Sequence, residues 1–374
     1  MTILRLEGIE KRILRKEILQ DISIQIEKRS FTVILGPMGA GKTTLFKIIA
    51  GCIKPNKGRI YLRGEDITDL PPQKRKVAMV FQTFNLYPNL TVYENIASPL
   101  RAVHKSNHEI KKKVLTQAEI LGISPLLYKH VYELSGGEGQ RVLIARALVK
   151  EADIYLFDEP LTNLDYKLRE GMAREMKNIL SAEGFEGTIL YATPNYEEAL
   201  SMSTTNSNTI LLQNGKIIWS GSTLSSYLKP PCIAFAENFP SPPMNFFESR
   251  LIEEKDDVYL FTNDEIKLKV THLKDVFQEN EYILGLYPYS LHIEKKDEKM
   301  IPIIFNLILA EVNPSGTMLH LEYDGKKVTG FLPHPQDLKG KLLKLFIYPH
   351  DFFIFSKKTR ELIMKYRSIN NGKN

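Results

Sequence analysis

The sequence predicts an α/β domain carrying a helical insertion, followed by an all-β domain. Three observations point there. Strand-like and helix-like segments alternate from residue 1 to about 235. A mainly helical stretch interrupts them at about 88–150. After a proline cluster at 230–243, PPCIAFAENFPSPP, short strands follow one another quickly. The expected domains are therefore 1–235 and 236–374.

Each element has its own signal. MTILRLEGIEKR alternates like a strand and lacks the apolar core of a secretory leader. FTVILG (31–36) and IYLFDE (154–159) are short apolar runs, as expected of parallel strands buried on both faces. TVYENIASPL, HEIKKKVLTQAEILG and GQRVLIARALVK read as the helices of the insertion. ILYATPNYEEAL (189–200) reads as strand, turn and helix, with Thr193 and Pro194 suited to the N-cap and first turn. Past the linker come DVYLFT, EIKLKVT, YILGLYPYSLHI, TMLHLEYDG, KVTGFLP and KLLKLFIYPHDFFIF, with YDGKK (323–327) as a hairpin turn. A small barrel or sandwich fits them.

Composition narrows the class. The 374 residues are 43% apolar and 25% charged, an ordinary globular mixture. No run reaches the roughly 18 apolar residues that span a bilayer. IPIIFNLILAEV (301–312) is too short, contains Pro302 and is interrupted by Asn306. The net charge of +6 is spread over 50 basic and 44 acidic residues, and KKK at 111–113 suits a solvated helix face, so no nucleic-acid partner is expected. Cys52 and Cys232 fit a reducing compartment and show no metal-ligand spacing. A cytoplasmic protein, peripheral to a membrane, is the expectation.

GPMGAGKT (36–43) matches G-x-x-x-x-G-K-[ST] between an apolar strand and a helix. Gly36, Pro37, Gly39, Ala40, Gly41, Lys42, Thr43 and Thr44 then form a phosphate cradle. Its glycines let backbone N–H groups converge, and the helix start adds its dipole. Lys42 would reach the β- and γ-phosphates and Thr43 would hold Mg²⁺. IYLFDEP (154–160) carries two carboxylates to a strand's C-terminal end. Asp158 would hold the metal, and Glu159 would polarise the attacking water. LSGGEGQR (134–141) has the S-x-x-E spacing of a capping box at Ser135 and Glu138. Its Gly136 and Gly137 also leave amides bare for a large anion. A second phosphate site on the insertion suggests a nucleotide held between two subunits.

In family order these motifs resemble the ATP-binding subunit of an ABC transporter. GPMGAGKTT resembles Walker A, Gln82 in VAMVFQ the Q-loop, LSGGEGQR the signature, IYLFDEP Walker B, and LTNLD (161–165) the D-loop. The tail resembles the barrel-like, OB-like regulatory domain of sugar and polyol importer ATPases. LPPQKRKVAMVFQ, YPNLTVYENIASPL and LDYKLRE resemble importers of maltose-like sugars and glycerol 3-phosphate, and more closely the paired ATPases of bacterial glycerol importers. The resemblance implies ATP and Mg²⁺ as cofactors. It implies Gln82 as a third metal ligand and γ-phosphate sensor, and FQTFNLYPNL as part of a groove for a permease helix. It implies a second ABC ATPase subunit, two membrane permeases and, indirectly, an extracytoplasmic solute-binding protein as partners. The location implied is the cytoplasmic membrane face.

Several positions depart from that pattern. Where the family has a histidine contacting the γ-phosphate, this chain has Pro194, and no histidine lies between His130 and His272. Thr193 and Asn195 offer polar contacts but not a cation. Ile13 or Leu14 stands where an adenine-stacking aromatic is expected, and the first aromatic in the chain is Phe31. Tyr287, Pro288 and Tyr289 replace the tail's Arg-Pro-Glu. The sequence thus predicts a mixed dimer in which this chain's own site is weakened and its signature intact. The alternatives are a homodimer with slow but real hydrolysis, which Glu159 keeps open, and a nucleotide-binding regulatory subunit with little turnover.

Overall fold

The computed structural model describes residues 1–366 apart from 84, 163–165, 181–184, 205–206, 239–241, 263–265, 337 and 339. The chain divides into two units, Met1–Ser226 and Tyr227–Asn374.

The first unit holds two sheets. Strands β1 (Thr2–Ile13), β2 (Lys16–Glu27), β4 (Lys57–Leu62) and β5 (Glu65–Asp66) form an antiparallel sheet in the order β2-β1-β4-β5. The second sheet runs β10-β9-β3-β8-β7-β6, built from β3 (Phe31–Leu35), β6 (Val77–Val80), β7 (Ile154–Asp158), β8 (Thr188–Thr193), β9 (Asn208–Gln213) and β10 (Lys216–Ser222). All but β10 are parallel. Every residue of β7 and β8 is buried, which explains the apolar runs IYLF (154–157) and ILYA (189–192) within them. One face packs Ile34, Leu156 and Leu190 against helix α1 (Lys42–Ile49) and the antiparallel sheet. The other packs Phe157 and Tyr191 against the helical insertion.

The insertion holds α2 (Val92–Ala102), α3 (Asn107–Ile120) and α4 (Gly136–Leu148). Each opens with a capping box: Thr91 with Glu94, Ser106 with Glu109, Ser135 with Glu138. Their apolar faces meet through Ile96, Val114 and Ile144, all essentially without solvent contact. The lysines at 111–113 lie on α3 with the first two exposed, as their run predicts. After β7 come α5 (Tyr166–Leu180) and, after β8, α6 (Tyr196–Met202).

In the second unit two antiparallel sheets enclose a core of Leu260, Leu284, Phe305, Leu319 and Leu345. One has six strands and the other four. Asp324 and Gly325 both adopt positive φ (51° and 69°) between paired Tyr323 and Lys326, the two-residue turn the sequence announces. KLLKLFIYPHDFFIF is not one strand. Pro349–Asp351 forms a 3-10 turn between Leu342–Ile347 and Phe353–Ser356, which join different sheets. The short helix Ile233–Asn238 buries Ile233 and Ala236 against Met244, Ile283 and Phe355 of the second unit. Those contacts group the residues after Ser226 with the tail, ahead of the proline cluster that marks the linker in sequence.

Candidate nucleotide site

The C-terminal ends of the central strands assemble the site. Leu35 of β3 pairs with Thr193 of β8, and Asp158 of β7 with Ala192 of β8. The loop from Gly36 to Gly41 therefore starts beside Thr193 and Pro194, with the Gly36 N–H donating to Thr193 O at 3.3 Å. Val80 pairs with Phe157, so the residues after β6, Gln82 among them, lie next to Asp158 and Glu159.

Glycine is required in the loop on steric grounds. A Cβ at Gly36 would lie 2.2 Å from Leu212 O. Gly41 adopts φ +108°, and a Cβ there would lie 2.7 Å from Leu19 Cδ2. Unlike the insertion helices, α1 begins without a side-chain cap and without an acidic residue in its first turn. Its amides face the loop with no internal carboxylate competing for them.

Lys42 is buried and donates to Gly36 O at 2.8 Å and Pro37 O at 3.1 Å. Its Nζ also lies 3.0 Å from Glu159 Oε1. Gln82 Nε2 donates to the other oxygen of Glu159 at 3.1 Å. Glu159 sits just past β7 at φ +48°, an unusual conformation for a side-chain-bearing residue, held by its N–H donating to Ala192 O at 2.9 Å.

Thr43 Oγ1 donates to Asp158 Oδ1 at 3.1 Å. Asp158 Oδ2 is buried without a hydrogen-bond partner. Burial, helped by the charge of Glu159, raises the Asp158 pKa to about 6, against the Thr43 hydroxyl and the Lys42 and Lys47 charges. An orphaned carboxylate oxygen beside a threonine hydroxyl is the oxygen-rich environment a hard divalent cation takes up. Thr43 and Asp158 fit Mg²⁺ on that ground.

The turn after β8 differs from its sequence reading. Asn195, not Thr193, caps α6, its side chain accepting from the Glu198 N–H at 3.0 Å. Thr193 is the last strand residue, and its Oγ1 accepts from the Asn195 N–H at 3.0 Å. A cap must stand where the backbone leaves the sheet, and pairing with Leu35 holds Thr193 in it. Pro194 lies between them, half-buried.

Ser135 and Gly136 are exposed at the start of α4, and a Cβ at Gly137 would meet nothing within 4 Å. Glu138 accepts from the Ser135 N–H and hydroxyl, both at 2.8 Å. Ile13 and Leu14 are exposed at the β1–β2 turn. Tyr87 is exposed beside Arg146, whose guanidinium lies 5.4 Å from its ring centroid, while Phe81 is half-buried. Phe84 and residues 163–165 of the D-loop segment lie outside the described residues.

Sequence reasoning overlooked a buried pair behind the turn. The Tyr191 hydroxyl donates to Glu198 Oε1, and burial raises the pKa of both groups. The signal available was a tyrosine inside an otherwise small or aliphatic strand.

A family model described as ABC transporter matches residues 19–162. The chain is 36% identical over 332 residues to the oligosaccharides import ATP-binding protein MsmX of Bacillus subtilis (strain 168), covering 87% of this chain and 89% of that one. It is 32% identical to the trehalose/maltose import ATP-binding protein MalK of Thermococcus litoralis, covering 92% and 95%. The crystal structure of a nucleotide-free ATP-binding cassette from an ABC transporter superposes with a TM-score of 0.55 at 28% identity, over 63% of this chain and 98% of that one. A cassette dimer in a post-hydrolysis state with ADP and phosphate gives 0.52 at 28% identity, over 59% and 99%. With its phosphate loop, paired carboxylates and β-rich tail in one chain, the protein belongs to the ABC transporter family as an import-type ATP-binding subunit, an ATPase that uses ATP and Mg²⁺.

Proposed function

We propose that this chain energises an importer for a polyol or sugar from the cytoplasmic face of the membrane. Glycerol is the favoured solute, with glycerol 3-phosphate and maltose-like sugars next. Similarity to ATPases named for import of oligosaccharides, trehalose/maltose and sn-glycerol-3-phosphate supports the solute class. The resemblance of YPNLTVYENIASPL supports glycerol. Two permease chains and, through them, an extracytoplasmic solute-binding protein complete the assembly. No helix among the described residues is long and apolar enough to cross a membrane.

In this reading Gly36 to Thr44 cradle the phosphates, with Lys42 on the β- and γ-oxygens. Thr43, Asp158 and Gln82 hold Mg²⁺, which neutralises phosphate charge when bound. Glu159 orients and deprotonates the attacking water. Ser135, Gly136 and Gly137 close over the ATP of a second ATPase subunit.

Pro194 carries the asymmetry. It follows Thr193, whose carbonyl accepts from Gly36, so the position borders the phosphate loop and has no donor to offer. Losing one preorganised contact to the transition state commonly costs about 10²–10³ in rate. The chain then completes a partner's site normally while its own turns over slowly. The test is ATP turnover by the purified chain, alone and with a second ATPase subunit. Slow turnover alone with restoration in the mixed dimer is expected. A fast rate alone, abolished by Glu159→Gln, overturns the asymmetry. No restoration by any partner favours a regulatory subunit, because Pro194 then silences the chain outright.

A further inference from the structure

We propose that Thr162 and Gln82 position Glu159 so that Oε1, not Oε2, is the oxygen that takes the proton of the attacking water. The proposal rests on the reading of Glu159 as the general base. It goes beyond that reading by naming the reacting atom and a residue, Thr162, that holds the other oxygen.

The local sequence places Thr162 against the carboxylate. In Glu159-Pro160-Leu161-Thr162 the Thr162 N–H donates to Glu159 O at 3.3 Å, closing a four-residue turn. Pro160 stands at its second position, where the fixed φ of proline suits the bend. Leu161 is fully buried and anchors the turn. Glu159 itself is set by its φ of +48° and by its N–H on Ala192 O at 2.9 Å. The Thr162 hydroxyl then lies 3.5 Å from Glu159 Oε2, long, as catalytic hydrogen bonds often are before substrate binds. Thr162 is exposed, so packing does not dictate a hydroxyl-bearing side chain there.

The two oxygens have donors of different kinds. Oε2 accepts from Gln82 Nε2 at 3.1 Å and from Thr162, both neutral. Gln82 uses its amide nitrogen here, and the metal role uses its oxygen. Oε1 instead pairs with the Lys42 ammonium at 3.0 Å. A triphosphate in the loop draws that ammonium to its β- and γ-oxygens. Oε1 then loses its donor while Oε2 keeps two, so the carboxylate stays in place with one oxygen released. In the reaction a water O–H bond breaks and its proton passes to Oε1. The water oxygen bonds to the γ-phosphorus, and the bond from that phosphorus to the ADP oxygen breaks.

Steady-state ATP turnover tests this, in the full chain and again in a Pro194→His background. Thr162→Val keeps the side chain's shape and removes the hydroxyl. It should lower kcat about tenfold, with KM for Mg²⁺-ATP unchanged. Thr162→Ser should keep kcat within about twofold of the parent, because it retains the donor. A kcat that holds or rises in Thr162→Val overturns the assignment, because freeing the reacting oxygen would have that effect. A fall that Thr162→Ser shares in full overturns it too, since the hydroxyl is then not the cause. Turnover that survives Glu159→Gln overturns the general-base reading itself, and the absence of turnover in both backgrounds removes that reading and this assignment together.

Discussion

Lys42 and Glu159 form a buried ion pair, Nζ to Oε1 at 3.0 Å, with side chains only 3% and 7% exposed. The phosphate-loop cation and the carboxylate at the end of β7 thus hold each other, and a triphosphate competes with Glu159 for the same ammonium. Removing one partner leaves the other buried and uncompensated. Lys42→Ala should destabilise the nucleotide-free chain by about 3 kcal/mol, the low end for a broken buried pair, because Gln82 still donates to Glu159. Lys42→Ala combined with Glu159→Gln should cost less than Lys42→Ala alone. Urea unfolding of Lys42→Ala, Glu159→Gln and the double variant measures the coupling, and additive costs contradict it.

Asp158 makes both stability and metal binding depend on pH. Its folded pKa, about 6, lies above the ordinary 3.8. A raised carboxylate pKa contributes stability that is full below 3.8 and lost as pH rises through about 6. Asp158→Asn removes that loss. Without nucleotide it should be more stable than the parent at pH 7.5, by roughly 2–3 kcal/mol at most, with the difference vanishing near pH 4. With Mg²⁺-ATP the order reverses, because the cation needs the carboxylate. Affinity of the parent for Mg²⁺-ATP should fall as pH drops through about 6.

Pro194→His restores a donor beside the phosphate loop. If Pro194 limits the chain's own site, ATP turnover by the purified protein should rise by about tenfold or more. KM should move little, because the contact forms mainly in the transition state. An unchanged kcat in a folded variant places the limit elsewhere.

Ser135 caps α4 and faces solvent, so its two roles separate by experiment. Ser135→Ala should cost about 1 kcal/mol of stability through the lost cap. In a mixed dimer it should depress the partner's turnover more than this chain's own. Subunit-specific Walker A variants read the two sites individually.

Tyr191 and Glu198 tie β8 to α6 directly behind the Pro194 turn. Tyr191→Phe leaves a buried carboxyl one donor short, costing about 1–3 kcal/mol. Because burial raises the Glu198 pKa, the carboxyl's contribution to stability is greatest at low pH and declines as pH rises. Glu198→Gln should therefore gain stability relative to the parent as pH rises above the ordinary carboxylate range, with the gain vanishing at low pH, as thermal melts across pH will show.

Much of this site was legible in the residues because its signals are local. A glycine loop between strand and helix, two carboxylates after an apolar run, and Ser135 three places before Glu138 all depend on near neighbours. So does Asp324-Gly325, whose positive φ values make a hairpin wherever the strands lie. What needed the tertiary structure was non-local. Thr193 is a strand residue rather than a cap because Leu35, far away in sequence, pairs with it. KLLKLFIYPHDFFIF splits between two sheets because Pro349 and its neighbours turn the chain there. The Lys42–Glu159 pair and the orphaned oxygen of Asp158 exist because parallel pairing brings the ends of β3, β7 and β8 together. Sequence alone determined which groups this protein can present to a phosphate. Strand order, set by burial of apolar faces across the whole domain, decided which of them meet.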